Sequence, residues 1–368
     1  MEKNKKAYAI VMAGGKGERF WPQSRLSSPK QLLRLLGNLT LIEQTIERLS
    51  PVFYKENILV LTNEIYVEPM RKLIPSLPAE NIIGESSRKD TAPCIAAAKA
   101  YISAITGEKD PIIAFFPSDH VINDTGAFAE AVSDSLNMAD SMDGIVTLGI
   151  VPNQAQTGFG YIETAERIPS GNSRTVFYKA VQFKEKPDLA TAEKYFAAKN
   201  FRWNSGIFMA KCSVWEKEFS RFAPELAAFT EKAEKILRSE GWNSPAFTEL
   251  FQSLTPISID YAVMEKADNV ITAEGNFDWD DVGSWTSLRN QLEADENNNV
   301  VRGLHKGIDT KNCIIVGDSD KLITTVDVQD LVIVNTDDSL LVCSAKSAQK
   351  IKELVNLLEK DPQLNKFV

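Results

Sequence analysis

Between residues 7 and 150, short apolar runs alternate with helix-period patterns, and this alternation restricts the fold more than any other feature of the chain. The runs at 7–12 (AYAIVM), 57–62 (NILVLT), 112–116 (IIAFF) and 144–150 (GIVTLGI) have the length and apolar content of buried strands. Between them, 40–49, 64–74 and the Ala-rich 91–105 read as helices. Thr40 and Glu43 are spaced as a capping box, and Thr91 is the expected N-cap of a helix with Pro93 in its first turn. Strands that alternate with helices are joined by right-handed crossovers and form a mostly parallel sheet. The expectation is an α/β, Rossmann-like domain.

The pattern changes near 295. After the polar stretch 296–299 come short β-rich runs at 300–302, 313–316, 322–326, 331–335 and 340–343, separated by Asp/Asn/Ser/Gly turns. A closing helix is expected over 345–360, where Ile351, Leu354, Val355, Leu357 and Leu358 recur at helical spacing. At 368 residues the chain exceeds one ordinary core. Two domains are therefore expected, a large one over 1–294 and a small β-rich one over 295–368.

The net charge of −9 argues against nucleic acid or a membrane surface as the main partner, but leaves room for a local basic pocket. No stretch approaches the roughly 20 apolar residues of a membrane span. The apolar run at the start is soon broken by glycine, too short for a signal peptide. Cys94, Cys212, Cys313 and Cys343 are scattered, with no C-x-x-C pair, so free thiols are expected. These features point to the cytoplasm.

The segment Ala13-Gly14-Gly15-Lys16-Gly17-Glu18-Arg19-Phe20-Trp21-Pro22, with Pro29-Lys30-Gln31 shortly after, follows the first strand directly. That is the carboxyl edge of the sheet, where α/β proteins bind ligands. Glycines let backbone N–H groups approach an anion, and Lys16, Arg19 and Lys30 add positive charge. A polyphosphate fits such a loop. The Walker spacing is absent, and the dinucleotide fingerprint fails because Phe20 occupies its last position.

The string resembles the G-G-x-G-x-R-x-x-P…P-K signature of nucleotidyltransferases acting on sugar-1-phosphates. The resemblance runs over about 7–290. It includes Phe116-Pro117-Ser118-Asp119-His120, Phe183-Lys184-Glu185-Lys186-Pro187, Trp203-Asn204-Ser205-Gly206-Ile207-Phe208, 258–266 (SIDYAVMEK) and 279–285 (WDDVGSW). The last segments, with Arg-Lys-Asp-Thr-Ala-Pro at 88–93, most resemble the mannose-1-phosphate guanylyltransferase branch, and the tail resembles that branch's β-helix-like domain. That branch usually carries Asn before Thr-Ala-Pro. Asp90 stands there, an acceptor that cannot donate.

The resemblance implies GTP and mannose-1-phosphate as substrates, GDP-mannose and pyrophosphate as products, and Mg²⁺ as cofactor. It is compatible with a homodimer. It implies nucleotide contacts at Ala13, Gly14, Gly15, Gly17, Asp90, Thr91 and Ser118. Arg19 and Lys30 would neutralise the leaving pyrophosphate, and Lys186 would hold the sugar phosphate. Gly160, Glu185, Asn204, Gly206 and Asp260 would shape the sugar pocket. Longer relatives append an isomerase domain, for which 368 residues leave no room, so a single activity is expected.

The chemistry accounts for these residue types. Attack of one phosphate on another must overcome repulsion between anions, and positioning with fixed positive charge does most of that work. No protein nucleophile is needed, which agrees with a chain holding only His120 and His305. Asp119, just after an apolar strand, and Asp281, in a strand-to-helix turn, suit Mg²⁺, which takes oxygen ligands. Asp280 reads instead as a cap of a helix near 284–294 or as an exposed residue. Lys186, before Pro187, is expected in extended backbone. Two other readings stay open: another sugar-1-phosphate and nucleotide pair, or a non-catalytic sugar-nucleotide sensor.

Overall fold

The opening apolar run forms β1 (Ala7–Ala13), and the computed structural model describes residues 3–171, 173–317 and 320–368. In chain order there follow α1 (Leu41–Leu49), β2 (Ile58–Asn63), α2 (Val67–Leu73), β3 (Ile82–Glu85), α3 (Thr91–Ile105), β4 (Ile112–Pro117), α4 (Thr125–Ser141), β5 (Ile145–Ile150), β6 (Tyr161–Ile168), β7 (Phe177–Lys184), α5 (Leu189–Ala198), β8 (Phe201–Lys211), α6 (Cys212–Phe222), α7 (Pro224–Ser239), α8 (Pro245–Gln252) and β9 (Val270–Gly275). The tail adds β10 (Val300–Arg302), β11 (Leu304–Lys311), β12 (Ile314–Val316), β13 (Leu322–Gln329), β14 (Leu331–Asn335), β15 (Leu340–Ser344) and α9 (Ile351–Lys360).

By compactness the chain divides into two units. The first comprises the stretch up to Gly14, Ile46–Pro117 and Ile122–Trp279; the second comprises Gly15–Thr45, Ser118–Val121 and Asp280–Val368. This division does not follow the expected boundary at 294/295, because the glycine-rich segment after Gly14 shares a core with the tail.

The first unit is built on a nine-stranded sheet in the order β3-β2-β1-β4-β8-β5-β9-β7-β6. The strands β3, β2, β1 and β4 are parallel, as expected from their crossovers. The remainder is mixed. β6 and β7, consecutive along the chain, pair antiparallel, and β8 runs antiparallel to β4, β5 and β6. The helix α3 lies almost wholly in the core, which explains its run of alanines and small residues. The expected capping box is present: Glu43 accepts from Thr40 N–H at 2.8 Å, and Thr40 Oγ1 accepts from Glu43 N–H at 3.3 Å. The cap of α3 is Asp90 rather than Thr91, since the Asp90 carboxylate accepts from Thr91 N–H at 2.7 Å.

In the second unit, strands two apart in sequence pair in parallel: β10 with β12, β12 with β14, and β11 with β13. This is the winding of a β-coil, closed by antiparallel β15. Alternate residues of β12 and β14 face opposite ways. Cys313, Ile315 and Ile333 fill the coil, while Ile314, Val316, Val332 and Val334 join a second core with Phe20, Trp21, Trp285, Ile351 and Val355. Phe20 and Trp285 meet edge to face at 5.0 Å, and the Trp285 indole donates to the Trp21 carbonyl at 3.0 Å. The expected helix over 284–294 is only a 3₁₀ segment, Trp285–Asn290.

Trp285→Ala should cost about 3–5 kcal/mol of stability, as large aromatic truncations in tight cores do. Leu357→Ala, on an exposed face of α9, should cost little. Comparison of the two melting temperatures checks this.

Candidate functional site

The expected site residues fall into two groups, one within each unit. The second unit holds Gly15, Gly17, Arg19, Lys30, Ser118, Asp119 and Asp281. Its centre is Lys30, buried at 6% exposure. Its ammonium donates to Asp119 Oδ2 at 2.8 Å and to the Asp281 carbonyl at 2.7 Å. Lys30 is therefore an internal counter-ion rather than a free cation. Gly17 has to be glycine for this reason: its φ is +67°, and a Cβ there would lie 2.2 Å from the Lys30 Cβ. Gly15, by contrast, has nothing within 4 Å of a would-be Cβ. Arg19 is exposed, on the 3₁₀ turn Glu18–Phe20. Ser118 is buried, and its carbonyl accepts from Thr45 Oγ1 at 3.2 Å.

Asp119 and Asp281 are shifted in opposite directions. Burial opposes ionisation of Asp119, but Lys30 and then His120 outweigh it and hold its carboxyl below the ordinary value. Asp281 goes the other way, to about 6, because burial, with Asp280 and Asp119 adding, exceeds the pull of Lys30. Asp280 is not exposed. Its carboxylate accepts from Val282 N–H at 2.7 Å and Asn290 Nδ2 at 2.8 Å, which fixes the turn carrying Asp281. Val282 has φ +44°, a rare conformation for a β-branched residue.

The first unit holds Ala13, Gly14, Asp90, Thr91, Gly160, Glu185, Lys186, Asn204, Gly206 and Asp260. The start of α3 is stitched to the segment before Asp260: Ile259 N–H donates to Thr91 Oγ1 at 2.8 Å, and Ala92 N–H to the Ile257 carbonyl at 3.1 Å. Asn204 Nδ2 donates to Asp260 Oδ1 at 3.1 Å, and Asn204 Oδ1 accepts from Gly206 N–H at 3.0 Å. Gly206 sits at φ +71°. A Cβ on Gly160 would fall 2.4 Å from Glu185 Oε2 and 3.3 Å from the Asn204 Cβ, so a larger residue there would displace the Glu185 carboxylate from its present position beside Asn204. The Lys186 ammonium donates to Glu185 Oε1. Contrary to expectation, Lys186 is not extended: its φ is +46°. The preceding Glu185 N–H is tied to Glu265 Oε1 at 3.1 Å, which holds the turn in place.

Burial, then the charge of Glu185, raises the Asp260 carboxyl to about 7, with Asp90 adding to the rise and Lys186 opposing it. Burial works against charging Lys186, but Glu185, Asp260 and Tyr261 together keep its ammonium above its ordinary value.

Two carboxylates escaped the sequence reading. Glu265 orients Glu185 as described. Glu85, at the carboxyl end of β3, is 8% exposed, and its Oε1 has no hydrogen-bond partner. Its Oε2 lies 3.7 Å from a would-be Cβ on Gly14. Burial raises it to about 7, against the opposing Cys94 thiol and Arg88. The only available signal was an acid closing a very short apolar run, Ile82-Ile83-Gly84-Glu85.

Residues 8–298 match the sequence profile of the family described as Nucleotidyl transferase. The chain belongs to that family. As a nucleotidyltransferase it carries a second match over 303–358, to the domain described as MannoseP isomerase/GMP-like beta-helix, which is the parallel coil of the tail. Among similar proteins, this nucleotidyltransferase is 35% identical to the mannose-1-phosphate guanylyltransferase of Escherichia coli (strain K12), over 97% of this chain and 74% of that protein. It is 37% identical to the enzyme of the same name from Salmonella typhimurium, with the same coverage. A crystal structure described as mannose-1-phosphate geranyltransferase from Thermus thermophilus superposes with a TM-score of 0.83 at 32% identity, over 96% of this chain and 99% of that one. The chain thus sits among the mannose-1-phosphate guanylyltransferases of the nucleotidyl transferase family. Among the described residues, no helix is long and apolar enough to cross a membrane.

The raised Glu85 carboxyl sets a pH dependence of stability. The folded protein binds a proton that the unfolded chain releases near 4.5, so Glu85 costs stability progressively as pH rises from about 4.5 through about 7. Glu85→Gln should therefore raise the melting temperature at pH 8 and give little gain at pH 5. Thermal melts at the two pH values check this.

Proposed function

We propose that this nucleotidyltransferase joins GTP to mannose-1-phosphate, forming GDP-mannose and releasing pyrophosphate. The observation that carries the reading is the buried Lys30 ammonium, which ties the carboxylate of Asp119 to the turn of Asp281. Such a cluster of fixed charge serves phosphoryl-type transfer, where neutralisation and positioning dominate. The names of the relatives above, matched over nearly the whole chain, supply the substrate pair. We take 1–294 as the catalytic domain and 295–368 as its β-rich companion.

In this reading the sugar-phosphate oxygen attacks the α-phosphorus of GTP in line, and the P–O bond to the leaving pyrophosphate breaks. Arg19 and the backbone of Gly15 and Gly17 receive the phosphates. Lys186 holds the sugar phosphate, while Glu185, Asn204 and Asp260 take sugar hydroxyls and Gly160 and Gly206 give room. Ala13, Gly14, Thr91 and Ser118 line the nucleotide. Asp119 and Asp281 would hold Mg²⁺. Asp119 and Asp281, close enough for the charge of one to raise the carboxyl of the other, offer two hard oxygen donors, and a pair short of a complete cage fits an ion that keeps waters and phosphate oxygens. When bound, Mg²⁺ supplies a positive charge to phosphate oxygens.

The Asp90 carboxylate is already engaged by Thr91 N–H. Glu85, with a buried acceptor beside Gly14, is the residue we assign to the two N–H groups that guanine presents on one edge. The free cysteines suit a reducing, cytoplasmic compartment. A homodimer is part of the same proposal, and light scattering on the eluted protein decides it.

Pyrophosphate release across four nucleoside triphosphates and several sugar-1-phosphates tests the central claim. Activity confined to GTP with mannose-1-phosphate supports it; activity with another pair rejects the substrates, and no activity with any pair rejects the enzyme reading. Lys186→Ala should raise KM for mannose-1-phosphate roughly 10- to 100-fold, the worth of a charged hydrogen bond, with KM for GTP nearly unchanged. Asp119→Asn should lower kcat by about 10²-fold or more. Retained turnover, measured beside circular dichroism for folding, would remove Asp119 from the site.

A further inference from the structure

Lys16, in the glycine-rich loop, does not stand free. Its ammonium lies 2.9 Å from Glu359 Oε1 and 3.8 Å from Glu18 Oε1. Glu18 in turn lies 3.7 Å from Lys352 Nζ. Lys352 and Glu359 are seven residues apart on α9, two turns along, and so share one face. Val355 lies between them on that face and is buried in the core that holds Phe20 and Trp21. The helix therefore grips the loop twice, by apolar packing below and by an alternating row of charges above. A few residues on, the Phe367 carbonyl accepts from the Trp21 indole at 2.7 Å and from Arg25. All these groups belong to the second unit.

The arrangement has a consequence for phosphate binding. Lys16 is partly exposed, in a loop where Gly15 leaves open space. Two carboxylates share its charge. A polyphosphate reaching this loop would compete with them for the same ammonium, and it carries more negative charge than either.

We infer that Glu359 is a positioning residue, a latch that holds Lys16 and must yield it to the pyrophosphate portion of the substrate, so that the tail helix α9 sets the affinity of the loop for polyphosphate. This inference rests on the proposed reaction for its physiological ligand, but not for its test. The partly exposed pair is worth little by itself, so its removal should change affinity by about two- to five-fold.

The test measures binding of inorganic pyrophosphate by calorimetry to the full chain, as wild type, Glu359→Gln, Lys16→Gln and the double variant, with melting temperatures recorded for each. Expected are tighter pyrophosphate binding in Glu359→Gln, no such gain when Lys16 is also Gln, and a gain that shrinks in high salt. In kinetics, KM for GTP should fall in Glu359→Gln while KM for mannose-1-phosphate stays put. Unchanged or weaker pyrophosphate binding in a folded Glu359→Gln, or the same gain without Lys16, would overturn the latch. If the wild type turns over no GTP with mannose-1-phosphate, the substrate reading fails, and the calorimetry still decides the latch.

Discussion

A lysine ammonium buried among carboxylates is costly unless its partners are fixed, and Lys30 is where that requirement organises this protein. Taking a charge out of water costs several kcal/mol per ion and is offset only by well-placed counter-charges. Lys30 finds its counter-charge in Asp119, after β4, and a further acceptor in the Asp281 carbonyl, after Trp279. Three segments far apart in sequence are thereby held together. The neighbouring features follow from this: Gly17 must lack a Cβ to admit Lys30, Asp280 must pin the turn, and Val282 must accept a left-handed backbone. Phe20, whose ring lies 5.6 Å from the Lys30 ammonium, ties the same point to the aromatic core.

Backbone strain falls on the same motifs. Asp90, Lys186 and Val282 all have positive φ, and none is glycine. Each conformation costs roughly 1–3 kcal/mol and survives only where the surroundings over-determine it. At Asp90 the carboxylate caps α3; at Lys186 the preceding amide is held by Glu265; at Val282 the amide is held by Asp280. In this conformation the Lys186 ammonium donates to Glu185 and feels the charge of Asp260.

The tail is more than an appendage. One face of its coil closes on itself, and the other supplies Ile314, Val316, Val332 and Val334 to the core containing Phe20, Trp21 and Trp285. The segment that follows the glycine-rich loop is therefore packed by the tail, which explains why compactness groups residues 15–45 with 280–368. The segment that begins at Gly15 and the β-coil are, in packing terms, one object.

Local order decided what could be read from the amino acids alone. The strands β1, β2, β4 and β5, the helix α3, the capping box at Thr40 and the β-rich tail each depend on residues close in sequence, where period and cap chemistry act directly. The motif residues were legible because each lies in a short conspicuous string, and the nucleotidyl transferase family could be named from them. Antiparallel β8 in mid-sheet, the left-handed Lys186, the counter-ion role of Lys30 and the buried Glu85 were decided only in the tertiary structure. Each turns on partners tens to hundreds of residues away, or on desolvation, which raises Glu85 and Asp281 while Asp119 is held low by Lys30. Burial and charge proximity are properties of a folded neighbourhood, and no periodicity along the chain encodes them.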